Sequence, residues 1–142
     1  MGNRAVITTE ENFKNNGVGI YLHWNGGRDS VNAFLKYCKA RGFRTPETDN
    51  YGWARLAQVI ANFIGGDLSI GFDTVNHLDC DNFDNGTYII KDWEIVGREH
   101  FNWEEQDEYD LRGMITAINE KQPVGDQMSK EKLAEFFEKE GI

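Results

Sequence analysis

Six consecutive positions, His23-Trp24-Asn25-Gly26-Gly27-Arg28, gather a titratable ring, an indole, a carboxamide, two glycines and a guanidinium where an extended run meets a helical one. These types suit anion recognition. A glycine pair lets backbone N–H groups face an anion, and the positive end of the following helix adds to the attraction. Arg28 can grip a phosphate or carboxylate through two parallel hydrogen bonds. His23 can titrate near neutrality, and Trp24 can stack on a base. Arg4 joins them if the first two strands pair. The ligand such a corner suits is a nucleotide or another small anion. The spacing matches neither a Walker loop nor a dinucleotide fingerprint. The same residues also suit a plain strand-to-helix turn whose polar groups satisfy the backbone, and both readings stay open.

A second constellation is acidic. "DCDNFDNG" (79–86) and "FNWEEQDEYD" (101–110) carry carboxylates without a single cation. Aromatics supply contact area, and carboxylates imitate a phosphate field. Asp79, Asp81, Asp84, Glu104, Glu105, Asp107 and Glu108 are the residues expected to face a cationic partner, with Trp103 and Tyr109 as anchors. A calcium loop starting at Asp81 would put Phe83 at a ligating position, where it cannot ligate. His23, His77 and His100 stand in no metal-binding spacing, so neither a metal nor a cofactor is expected. Gly-x-Ser-x-Gly is absent. A small hydrolase using His23 as general base ranks last, because no nucleophile accompanies it.

These residues need elements to hold them. "NRAVITT" (3–9) and "VGIYLHW" (18–24) read as strands that pair antiparallel around a loose loop at 10–16. Asp29 or Ser30 is expected to cap a helix to about Arg41, with Val31, Phe34, Leu35 and Cys38 on one face. Thr48, Asp49 or Asn50 caps a second helix through Ile64, ended by Gly65-Gly66. Further strands are expected at 68–72, 76–83, 87–91 and 94–98, with Asn85-Gly86 as a type I′ hairpin turn. Helices at about 107–120 and 129–140, the latter capped by Ser129, close the chain. The expectation is a single α+β domain: a mostly antiparallel sheet of about five strands packed against about four helices.

The 142 residues suit one core, and no apolar run approaches a membrane span. The opening lacks the apolar stretch of a secretory signal, so a cytoplasmic protein is expected. Cys38 and Cys80 are expected to be free thiols. The net charge is −9, and its distribution is uneven. Residues 66–110 hold thirteen Asp/Glu and two Lys/Arg, whereas residues 1–65 hold eight Lys/Arg and five Asp/Glu. Direct binding to DNA or RNA is disfavoured, since phosphate contacts need clustered cations. A basic protein partner fits better.

The opening "MGNRAVI", the strand "GIYLHWNGG" and the helix "SVNAFLKYC" together resemble a group of small uncharacterised proteins carried by phages, prophages and mobile elements. Arg4, His23, Trp24, Asn25 and Gly26 are the matching positions. Many of those proteins continue with Tyr-Pro, where Gly27-Arg28 stands here. The resemblance implies a host-takeover or counter-defence context. The leading expectation is therefore a non-enzymatic accessory protein. It would inhibit a host nucleic-acid-handling defence factor, such as a CRISPR nuclease, through its acidic surface. The alternative is a nucleotide-binding signal sponge using the His23–Arg28 corner.

Overall fold

The computed structural model describes residues 2–65 and 69–142. Five strands form one sheet: β1 (Ala5–Thr8), β2 (Val18–Leu22), β3 (Ile70–Thr74), β4 (Thr87–Lys91) and β5 (Glu94–Glu99), in the order β3-β2-β1-β4-β5. β1 runs parallel to β4, and the other neighbours pair antiparallel. The helices are α1 (Glu10–Lys14), α2 (Arg28–Ala40), α3 (Asn50–Ile64), α4 (Leu111–Glu120) and α5 (Lys130–Glu140). The class is α+β, as expected. The additional helix, α1, fills the loop between β1 and β2; Thr9 starts it by accepting a hydrogen bond from Asn12 N–H.

Alternation along the strands decides which face is covered. Ala5 and Ile7, Ile20 and Leu22, and Tyr88 and Ile90 join one apolar cluster with α2, α3, α4 and α5. From α2 come Val31, Phe34, Leu35 and Cys38, the spacing read from the sequence; α3 adds Trp53, Leu56 and Ile60. Each Val, Leu, Ile or Phe side chain among them contributes about 1.5–3 kcal/mol when fully buried. Tyr37 and Gln122 carry paired polar groups into this interior. Tyr37 O–H donates to Asn119 Oδ1 at 2.7 Å, and Gln122 Nε2 donates to the carbonyls of Val59 and Ile118.

Asp49 and Ser129 cap α3 and α5 as expected. α2 differs by two residues: Gly27 is its N-cap, and Asp29 sits in the first turn, accepting from Ser30 N–H at 2.8 Å. α4 starts at Leu111 rather than 107, because the Asp110 carboxylate accepts from Gly113 N–H and fixes the first turn there. The strand expected at 68–72 is observed at Ile70–Thr74, and Leu68 and Gly66 lie outside the described residues.

The strand expected at 76–83 is not formed. Val75–His77 is one short 3-10 turn, and the chain then runs irregularly to Gly86. Asn82 explains this, because its buried side chain supplies the bonds a ladder would have given. Its Nδ2 donates to the carbonyls of Asp79 and Gly86, and its Oδ1 accepts from the N–H groups of Asp84 and Gly86. Asn85-Gly86 is accordingly not a hairpin turn. The tight hairpin joins β4 to β5 at Asp92-Trp93, both left-handed, with φ of 54° and 62°. Among the described residues, no helix is long and apolar enough to cross a membrane.

Candidate functional site

One end of the sheet collects both sequence constellations. β1 and β4 begin there and β2 and β5 finish there, so Arg4, His23, Asn85 and Arg98 belong to neighbouring strand ends. The N-terminal segment stitches them together. Asn3 N–H donates to the His23 carbonyl at 2.8 Å, Gly26 N–H donates to the Asn3 carbonyl at 2.8 Å, and Asn85 Nδ2 donates to Asn3 Oδ1 at 2.6 Å.

The corner is folded against the protein itself. Gly26 is buried with no room for a side chain: a Cβ there would run into the Asn3 carbonyl and come within 2.9 Å of Ala5 Cβ. Its own carbonyl accepts from Tyr88 O–H at 2.7 Å. Asn25 holds the left-handed conformation that short polar side chains tolerate, and its Nδ2 donates to Ser30 Oγ at 3.3 Å. His23 Nδ1 shares a 3.0 Å hydrogen bond with Tyr21 O–H. Trp24 stands edge-on to the His23 ring and is 45% exposed.

The anion-seeking groups already have acidic or amide partners. Arg28 Nη1 donates to Glu105 Oε2 at 2.9 Å, and Asp29 N–H, in the first turn of α2, donates to Gln106 Oε1 at 3.1 Å. Gly27 lies beside them as the cap. Arg4 has acidic partners of its own. Its Nε donates to Asp84 Oδ2 at 2.7 Å, and Asp79 lies 3.6 Å from its Nη1. The hydrogen bond from Arg4 holds the Asp84 carboxyl below the usual carboxylate range, against a smaller opposing effect of burial.

The residue that sequence reasoning missed is Arg98. Its side chain is 10% exposed and lies between two rings, 3.9 Å from the Tyr88 centroid and 3.8 Å from that of Phe101. Its Nη1 pairs with Glu105 Oε1, and its Nη2 donates to the Asn85 carbonyl at 2.6 Å. Glu105 thus spans two arginines, one oxygen to each. Simple alternation from Ile95 would turn Arg98 away from the helices. The register shift beside Ile89/Ile90 resets the phase, so Arg98 pairs with Tyr88.

The acidic residues therefore fall into groups that meet through Arg98 and Asn85. Asp79 and Asp84 are spent on Arg4, and Asp81 lies 3.8 Å from His100. Glu105 is spent on Arg28 and Arg98. Tyr109 is held from behind, its hydroxyl accepting from Asn32 Nδ2 at 2.9 Å. Glu104, Asp107 and Glu108 point outward, and Trp103, resting against Phe101, is 57% exposed. The segment 101–110 has no regular secondary structure; side chains from α2 and β5 fix it in place.

No family model matches the chain, and neither a curated protein nor a solved structure matches it.

Proposed function

We propose that this is a non-enzymatic binding protein, of the accessory kind that a phage or mobile element carries. It presents segment 101–110 to a basic, nucleic-acid-handling host protein. The observation that carries this reading is the way the segment is pinned. Arg28, Arg98, Asn32 and the Asp29 N–H hold Glu105, Gln106 and Tyr109 from behind, leaving Trp103, Glu104, Asp107 and Glu108 outward. A loop ordered before it meets its partner loses less entropy on binding. Its carboxylates would engage the cations that otherwise hold phosphates, and Trp103 would supply the buried anchor of the interface. The His23–Arg28 corner gains less support as a ligand site, since its donors serve Asn3, Glu105 and Gln106.

The test is binding and inhibition against a panel of purified basic nucleases, CRISPR effectors among them. Replacing Glu104, Asp107 and Glu108 by Lys should abolish binding while thermal stability stays near wild type. Trp103→Ala should weaken it by about tenfold or more. Unchanged inhibition by the charge-reversed protein would sink the proposal.

A further inference from the structure

The opposite end of α2 carries the reverse electrostatics. There Arg41, Arg44 and Arg55 gather around Phe43 and Tyr51, in a chain whose net charge is −9. The Phe43 ring lies 5.0 Å from the Arg41 guanidinium and 6.0 Å from that of Arg55, and Arg44 lies 5.8 Å over Tyr51. Arg44 has a carboxylate, Asp49, at 2.8 Å. Among the described residues, Arg41 and Arg55 have none within ion-pair distance; they donate to the uncharged Tyr37 hydroxyl at 3.2 Å and Gln58 Oε1 at 3.4 Å.

Two concavities meet here. One, of about 260 Å³, has Arg41, Phe43, Arg55, Gln58 and Asn62 on its walls, with Asp126 as its carboxylate. The other, of about 400 Å³, shares Phe43 and Arg55 and adds Arg44 and Tyr51. Arg41 has a structural use, since it is the C-cap of α2 and a cation there offsets the negative helix end. That does not account for Arg55, which projects from the exposed side of α3. Arg41 and Arg55 line the smaller recess together, and their two charges outnumber its one carboxylate, Asp126, so the recess favours an anion. Arginine is the side chain best shaped to take phosphate bidentately. Tyr51 is 59% exposed, and an open aromatic face beside a phosphate site suits a nucleobase.

We infer that this recess binds a nucleoside phosphate, with the phosphate held by Arg41 and Arg55 and the base against the Phe43–Tyr51 side. The site is separate from segment 101–110, so it stands or falls independently of the partner-binding reading.

The experiment is calorimetric titration of the full chain with AMP, GMP and ATP, and with adenosine and inorganic phosphate as the two half-ligands. A nucleotide should bind, and more tightly than either half. Arg55→Gln, an exposed change that spares the fold, should weaken it by about tenfold or more, the loss of one charge-assisted contact. Tyr51→Ala should weaken nucleotide but not phosphate. Phosphate binding as well as the nucleotides, with Tyr51→Ala neutral, would overturn the nucleotide assignment. So would no binding by any probe, or binding untouched by Arg55→Gln.

Discussion

Arg28 Nη1 and Glu105 Oε2 lie 2.9 Å apart although their residues are 77 positions apart in sequence. The pair clamps the first turn of α2 to the acidic segment, and the second oxygen of Glu105 serves Arg98. Exposed ion pairs contribute little, but Arg98 is mostly buried and would be left without its counter-charge. Glu105→Ala is expected to cost about 1–2 kcal/mol. It should also speed amide hydrogen exchange across 101–110 while leaving α3 and the central strands protected. Unchanged exchange in that segment would mean that Glu105 does not hold it.

Acid should loosen the same end of the sheet. Arg4 depresses the folded-state pKa of Asp84. A carboxyl with a depressed folded pKa gives stability that is complete above its unfolded value, about 3.9. That stability is lost as pH falls through the folded value. Asp84→Asn should therefore be less stable than wild type at neutral pH, and the two should converge in acid, once pH has fallen through the depressed folded-state value. Denaturant melts across pH 2–7 would show this; parallel curves would remove Asp84 from the acid response.

The four longer helices are legible because their determinants are local, whereas α1 replaces an expected loop. The apolar spacing of Val31, Phe34, Leu35 and Cys38, and the caps Asp49 and Ser129, are written in adjacent residues. The hairpin was misplaced for a different reason. Asn85-Gly86 has the preferred turn composition, yet the tight turn falls at Asp92-Trp93, where two non-glycine residues take positive φ. Trp93 is buried, and its indole N–H donates to the Phe43 carbonyl at 2.9 Å. Tertiary packing thus outweighs local preference. Of the candidate site, the corner and the acidic segment were visible, but their contact was not. It runs through Arg98, whose direction depends on a register shift that no alternation pattern reveals.

Thiol chemistry separates the two cysteines. Both are free. Cys38 is fully buried in the core, and burial pushes its thiol far above the ordinary range. Cys80 is partly exposed and is raised less, chiefly by desolvation. Since the thiolate is the reactive form, an alkylating reagent at pH 8 should modify Cys80 slowly and leave Cys38 untouched until the protein unfolds. Mass spectrometry of the native protein should show single labelling, at Cys80. Prompt labelling of Cys38 would contradict its burial.

Gly26 decides whether the His23–Arg28 corner is built for structure or for a ligand. A ligand-facing glycine would accept alanine with altered binding and an intact fold. Here the added methyl would strike the Asn3 carbonyl and crowd Ala5, while Tyr88 holds the Gly26 carbonyl from the other side. Neither neighbour can swing away, because Asn3 is bonded to His23 and Ala5 lies in β1. Gly26→Ala is therefore expected to destabilise by about 1–3 kcal/mol, the range of an overpacked core. Gly27→Ala should be milder, since its added Cβ would crowd the Asp29 carboxylate oxygen, the end of a side chain, at 2.8 Å and meet Asn3 Nδ2 only in ordinary contact at 3.6 Å. Thermal melts of the two variants measure the difference. Equal melting temperatures for Gly26→Ala and wild type would return the corner to the ligand reading.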